Sequence, residues 1–236
     1  MLMETKEKVR SEFDQVALSL TEGGYRDRPA VLQRRKEALK RIPPHCDQVL
    51  EIGCGWGDFA RYLAGRSSHV LAVDLSPEMI RVAREQNAGF PNIEFQVADA
   101  MEYPYPPDTF DLVISFMTFH HLPLEQIMEK ARYTLKPGGV LIVFDACTQT
   151  GFRNRAIKTI RHWIYTGRKA ALRLMGKRNR HKGGRGMQSH AEEEEHPTVE
   201  FIRQVSSRVL PGASVKEYYG QDRYTLVWKK PSPTKP

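Results

Sequence analysis

Val49-Leu-Glu-Ile-Gly-Cys-Gly-Trp-Gly-Asp58 decides the fold. The apolar residues Val49, Leu50 and Ile52 enclose one acid, Glu51, and then break into glycines at alternate positions, Gly53, Gly55 and Gly57. Glycine tolerates positive φ and needs no side-chain room, so the turn can bring backbone N–H groups close to a ligand. After it the pattern becomes helical. Asp58 is placed to cap, and Phe59, Tyr62 and Leu63 recur at i, i+3 and i+4. Strand, glycine turn and helix together predict the nucleotide-binding opening of a doubly wound α/β sheet.

Working outward, a second strand is predicted over His69–Asp74, and its terminal acid lies 21 positions beyond Gly53. An α/β nucleotide site places its ribose-binding carboxylate at about that spacing. Ser76 and Pro77 then read as the cap and first turn of a helix carrying Met79, Ile80 and Ala83. A third strand from Ile93 ends at Asp99-Ala100-Met101, and Phe110–Ser115 reads as a fourth. Phe116-Met-Thr-Phe-His-His-Leu-Pro123 follows it, then a helix over about Leu124–Leu135. Lys136-Pro-Gly-Gly139 is predicted as a turn feeding a fifth strand, Val140–Asp145. Strands alternating with helices indicate a parallel sheet covered on both faces.

The glycine spacing narrows the ligand. A dinucleotide fingerprint, G-x-G-x-x-G, would need its third glycine at position 58, where Asp58 stands. A carboxylate at Glu51 would also repel a pyrophosphate, whereas a sulfonium ligand with an amino group tolerates it. The run Glu51/G-x-G-x-G, Asp74, Asp99, Phe110-Asp111 and Lys-Pro-Gly-Gly, from 49 to 145, resembles the class I S-adenosylmethionine-dependent methyltransferases in order and spacing. His120-His121-Leu122 resembles the branch containing quinone-biosynthesis (type 11) and other small-molecule methyltransferases.

The resemblance implies a Rossmann-like, seven-stranded, mostly parallel sheet with an antiparallel last strand. It also implies a helical N-terminal cover and a helical insertion after strand five. The cofactor implied is S-adenosylmethionine, with S-adenosylhomocysteine as product. Gly53, Cys54, Gly55 and Gly57 would shape its turn, and Glu51 with Asp74 would hold the methionine end and ribose. Leu75, Asp99, Ala100 and Met101 would surround the adenine, and Met79 is a further cofactor contact. Ser115, Phe116 and, from the cover, Tyr25 complete the contacts the resemblance assigns.

Along the rest of the chain, residues 1–43 read as a helical cover, with an apolar stripe of Val9, Phe13, Val16, Ala17 and Leu20 and a second helix from about Pro29 to Arg41. Residues 44–147 form the expected cofactor core, and 148–196 a basic helical insertion capping the substrate pocket. Residues 197–230 bring a helix and the last two strands, and 231–236 a tail, all within a single methyltransferase domain. Of the net charge of +8, the stretch 152–187 carries twelve Lys or Arg and no acid, so the rest is net acidic and global charge does not argue for nucleic acid. Its helix, Arg153–Tyr165, sets Ala156, Ile157, Ile160, Trp163 and Ile164 on one face, expected to turn inward; the same pattern also suits an anionic membrane surface.

Cys46, Cys54 and Cys147 suggest neither disulfides nor a metal site, and the charged N-terminus lacks a signal-peptide core. A cytoplasmic protein, peripheral to a membrane at most, is the expectation. The oligomeric state is left open.

Methyl transfer is an in-line displacement needing alignment in a dry pocket, and a base when the attacking atom carries a proton. His121 and then His120 are the candidate bases, because ligands bind beyond the carboxyl ends of the strands. A structural role, capping the next helix or bonding within the protein, is the alternative for each. His190 and His196 are more remote candidates, and Asp145, after strand five, is placed to orient a substrate or simply to end its strand. The window Ser115-Phe-Met-Thr118 lacks the Asn/Asp-Pro-Pro-Tyr of amino-methylating DNA enzymes and the Pro-Cys of cytosine C5 enzymes. Ala146 after Asp145 lacks the metal pair of catechol-type enzymes, and the double-glutamate loop of protein-arginine enzymes is missing. The expected function is S-adenosylmethionine-dependent methylation of a small molecule, with oxygen favoured over nitrogen or carbon. Its rivals are an RNA or protein methyltransferase docking through the insertion, and a cofactor-binding protein without methyl transfer.

Overall fold

The computed structural model describes residues 2–23, 40–149 and 196–232, with isolated positions between 156 and 166. In chain order the elements are α1 (Leu2–Gly23), β1 (Cys46–Ile52), α2 (Asp58–Ala64), β2 (Ser67–Asp74), α3 (Pro77–Gln86), β3 (Ile93–Val97) and β4 (Phe110–Phe116). A 3-10 turn (Phe119–His121), α4 (Leu124–Thr134), β5 (Leu135–Ala146), α5 (Val199–Val209), β6 (Ser214–Tyr218) and β7 (Arg223–Lys229) follow.

The strands form one sheet in the order β3-β2-β1-β4-β5-β7-β6. β1 to β5 pair in parallel, and β7 runs antiparallel to both β5 and β6. This is the expected Rossmann-like seven-stranded sheet. Its strand order reverses between β1 and β4, which opens a crevice beyond their carboxyl ends.

Strand alternation divides the core. Leu50, Ile52, Val113, Leu141 and Val143 pack with Ile127 and Met128 of α4 and Ile202 and Val205 of α5. Val49, Val70, Leu112, Ile114 and Ile142 pack on the other face with Phe59 and Leu63 of α2 and Ile80 of α3. With both faces covered, the inner strands are apolar throughout, as the sequence shows. A smaller cluster of Ala17, Met79 and Val82, flanked by Phe13, Val16 and Trp56, seats α1 on α3.

Two local expectations change. Gly57, in the left-handed region at φ 78°, is the N-cap of α2, and Asp58 is the first helical residue, bonded to Arg61 at 2.6 Å. Lys136-Pro-Gly-Gly139 lies inside β5 rather than ahead of it. Leu135 pairs with Phe110, and the register shifts before Leu112 pairs with Val140. Gly138 takes φ 82°, and backbone bonds between this segment and Lys230 hold the irregular strand to the chain end.

Tyr25, His190 and most of the second cover helix and the insertion lie outside the described residues. The described insertion positions 156, 157, 159, 160, 163, 164 and 166 are helical. Ile160, Trp163 and Ile164 are 58%, 72% and 64% exposed, so the expected inward orientation is not met at these three. Among the described residues, no helix is long and apolar enough to cross a membrane.

Candidate active site

A cavity of about 540 Å³ opens beyond the carboxyl ends of β1, β2, β4 and β5, under α1. Its size is that of a small-molecule or cofactor site.

The glycine turn forms its floor. Gly53 and Cys54 both donate backbone N–H groups to Val73 carbonyl oxygen, at 2.8 and 3.0 Å, which draws the turn onto β2. Gly55 has φ 52°, and a Cβ there would meet no protein atom within 4 Å, because that side of the residue faces the cavity. Gly57 differs. A Cβ there would come within 2.7 Å of Asn87 and Phe95, so its bareness serves the packing of α2 on α3 and β3. The turn therefore combines one residue bare toward the cavity with one bare toward the core. Cys54 is buried; burial, then the charges of Asp74 and Glu51, push its thiol well above its ordinary range. It is no nucleophile.

Asp74 ends β2 beside this turn. Its carboxylate accepts from the backbone of Gly55 at 2.8 Å and of Ser76 at 2.9 Å, locking the glycine turn to the start of α3. Burial raises its pKa, and those backbone donors act against the rise. Ser76 caps α3 by accepting from Met79 N–H at 3.0 Å, and its hydroxyl donates to Asp14 of α1. Asp99 accepts from Met101 N–H at 2.7 Å and pairs with Lys6 Nζ of α1 at 2.5 Å. Lys6 also reaches Glu102 at 2.9 Å, and these bonds, Asp99 first, raise its pKa. The N-terminal helix is thus tied at two points to the loops after β2 and β3.

The other end of the cavity is built by the turn after β4. Met117 has φ 57°, an uncommon conformation for a bulky residue, stabilised by its N–H bond to Phe144 carbonyl oxygen at 2.9 Å. The turn carries the chain into Phe119–His121. His121 lines the cavity, with its ring 5.7 Å from Phe13 and edge-on to it. His120 points away into the protein. Its Nδ1 lies 2.5 Å from an oxygen of Asp145, its N–H donates to the other oxygen at 2.8 Å, and its ring sits 3.9 Å from that of His121. Asp145, fully buried, also accepts from Ala146 N–H at 2.7 Å. The ring of His196 stands 4.9 Å from His120. Neither histidine caps α4, whose N-cap is Pro123.

Of the sequence candidates, Glu51, Gly53, Cys54, Gly55, Asp74, Leu75 and Met79 line the cavity, as do Asp99, Ala100, Met101, Phe116 and His121. Gly57, Ser115 and His120 do not. Ser115 lies fully buried beneath, donating to Ile52 carbonyl oxygen at 2.8 Å and joining β4 to β1. Sequence reasoning missed Lys6, Trp56, Thr118 and Arg223, all of which line the cavity. Trp56 and Thr118 sit within quoted motifs. Lys6 and Arg223 carry no motif, and only the fold brings them in.

A family model described as "Methyltransferase domain" matches residues 49–139, the segment that builds β1 to the start of β5 and most of this cavity. Over residues 49–139 the chain is similar to a methyltransferase domain. Phosphoethanolamine N-methyltransferase 1 of Zea mays is 36% identical to this chain over 107 residues, 44% of the chain and 21% of the maize protein. Demethylmenaquinone methyltransferase of Clavibacter sepedonicus is 33% identical over 103 residues, 43% of the chain and 42% of that protein. The chain therefore spans well under half the length of these curated relatives. Among solved structures, N-methyltransferase NodS of Bradyrhizobium japonicum WM9, in complex with S-adenosyl-L-homocysteine, superposes with TM-score 0.58 at 17% identity, covering 87% of this chain and 90% of NodS. The [4+2]-cyclase SpnF superposes with TM-score 0.63 at 15% identity, covering 96% and 97%. The chain shares its fold with both.

Proposed function

We propose that this chain is an S-adenosylmethionine-dependent methyltransferase acting on a small organic molecule. The observation that carries this reading is the bare, cavity-facing Gly55 between the carboxylates of Glu51 and Asp74, with Asp99 beyond them in the same cavity. The residues fit the cofactor. Backbone at Gly53–Gly55 would approach it closely, Glu51 would hold its amino group, and Asp74 would accept from the ribose hydroxyls. Asp99, with Leu75 and Met101, would hold the adenine. The NodS complex and the N-methyltransferase and menaquinone relatives support the same reading.

The bound cofactor supplies an electrophilic methyl group. The protein aligns the acceptor with it and excludes water, through the apolar wall of Phe13, Val16, Phe116 and Phe144. His121 takes the acceptor proton, because its ring reaches the cavity beside the turn after β4. His120 acts through His121 as a positioning residue, held by Asp145. This arrangement favours an oxygen acceptor over nitrogen or carbon.

The test is calorimetric binding of S-adenosylmethionine and S-adenosylhomocysteine, followed by product analysis on candidate acceptors. Binding with release of S-adenosylhomocysteine is expected, and no binding of either would overturn the reading. The SpnF likeness favours one rival, the fold used for another reaction; turnover without S-adenosylhomocysteine would establish it. The exposed Ile160, Trp163 and Ile164, within the stretch 152–187 that carries twelve Lys or Arg and no acid, support contact with anionic lipid. Co-sedimentation with phosphatidylserine vesicles but not phosphatidylcholine ones is expected, and equal behaviour with both would remove that part.

A further inference from the structure

The charges around the cavity are segregated. Its acids Glu51, Asp74 and Asp99 stand at or just beyond the ends of β1, β2 and β3, with Asp58 at the start of α2, on one side of the sheet. On the other side stands Arg223, the first residue of β7, half-buried and lining the cavity. Pairing of Arg223 with Ala146, and of Phe144 with Thr225 and with Phe116, puts Arg223, Phe144 and Phe116 on one face of the sheet. Strands lie about 4.8 Å apart, so the arginine backbone is about 10 Å from the end of β4, where His121 approaches the cavity.

The lysine and arginine that line the cavity are in opposite states. Lys6 is engaged by Asp99 and Glu102. Arg223 donates from Nη1 to Asp222 carbonyl oxygen at 2.7 Å, and among the described residues no carboxylate pairs with it. Three of the four lining acids are engaged elsewhere: Asp58 by Arg61, Asp74 by backbone N–H groups, Asp99 by Lys6. A guanidinium has five donors in a planar fork suited to two oxygens of one oxyanion, and half-burial strengthens such a bond. A wholly apolar acceptor would leave that fork facing hydrocarbon.

We propose that Arg223 anchors an oxyanion on the methyl acceptor, a phosphate or a carboxylate, at the β7 end of the cavity. This rests on the methyltransferase reading and names its substrate class. The acceptor is short, since its anionic group and its methylated atom must both lie between β7 and the β4 turn. Its anion is held away from the acids at the cofactor end, so charge sets the direction in which it enters. Acceptors without an oxyanion are selected against, because they leave the guanidinium desolvated and unpaired.

The experiment titrates the protein, first with S-adenosylhomocysteine alone. The saturated complex is then titrated with inorganic phosphate or sodium acetate at constant ionic strength, comparing wild type with Arg223→Gln and Arg223→Lys. Saturable binding of at least one anion is expected, weakened at least ~10-fold by Arg223→Gln and less by Arg223→Lys, with S-adenosylhomocysteine affinity unchanged. Preference for phosphate assigns a phosphorylated acceptor, and preference for acetate a carboxylated one. Absence of saturable anion binding in wild type, or equal affinity in Arg223→Gln, would overturn the proposal. Loss of S-adenosylhomocysteine affinity in Arg223→Gln would overturn it too, by giving the arginine to the cofactor. Failure of wild type to bind S-adenosylhomocysteine would instead strike the methyltransferase reading.

Discussion

Replacing Asp145 tests how the histidine corner is held. Its carboxylate, fully buried at the end of β5, accepts from His120 N–H at 2.8 Å and Ala146 N–H at 2.7 Å, and contacts His120 Nδ1 at 2.5 Å. Asp145→Ala deprives two backbone donors and one imidazole nitrogen of their acceptor in a place with little access to water. An unsatisfied buried donor costs about 1–3 kcal/mol. Because the three contacts share one acceptor and the site can relax, the low end for three such groups applies, about 3–5 kcal/mol. That is a large part of the 5–15 kcal/mol typical of a domain. Asp145→Asn keeps an acceptor oxygen and should lose about half as much. Urea unfolding followed by circular dichroism measures both, read as a lower midpoint at unchanged slope. Loss below about 1 kcal/mol in Asp145→Ala would refute the clamp. In the folded Asp145→Asn protein, turnover should fall while S-adenosylhomocysteine affinity stays, since the carboxylate orients His120 and through it His121. Equal turnover would return both histidines to a structural role.

Further outcomes separate the parts of the cofactor end. Gly57→Ala should cost about 2–4 kcal/mol, from the left-handed backbone and from a Cβ 2.7 Å from Phe95 and Asn87, read by the same unfolding assay. Gly55→Ala, whose Cβ meets nothing within 4 Å, should lose only about 1–2 kcal/mol of stability yet bind S-adenosylhomocysteine at least ~10-fold more weakly; unchanged affinity would remove the close approach. Asp74→Asn should weaken S-adenosylhomocysteine binding ~10-fold or more in calorimetry. Since burial raises the Asp74 pKa above the ordinary 3.8, wild-type affinity should fall with acidification before a normal aspartate would protonate, and the Asn variant should lack that limb. Asp111 has the opposite sign. Burial acts to raise its pKa, but the Gln48 N–H at 2.8 Å and Lys136 at 2.9 Å outweigh it and hold the value below 3.8. Its stabilisation is full above 3.8 and lost as pH falls through the lower folded value, so the unfolding midpoints of wild type and Asp111→Asn should converge below pH 3.8.

Much of this was legible in the chain because it is local. The strand periodicities, the glycine turn at 53–57, the Ser76-Pro77 helix start and the spacing from Gly53 to Asp74 are set by near neighbours, and they led to the parallel sheet and to most of the cavity floor. Even there, the roles of the three glycines were not separable, since only packing shows that Gly57 faces Phe95 while Gly55 faces open space. The Lys136–Gly139 turn was misplaced for the same reason, because pairing of Leu135 with Phe110 and of Lys230 with Gly138–Gly139 makes it strand.

What the tertiary structure alone decided are the contacts between distant segments. Resemblance put His121 ahead of the adjacent His120 without a local reason, and Asp145, 25 residues on from His120, distinguishes them by drawing one ring inward and leaving the other at the cavity. Lys6 meets Asp99 across 93 positions, and Arg223 enters the site because β7 returns antiparallel beside β5. Such side chains carry no local pattern. Their place follows from strand order and register, which the whole core determines at once.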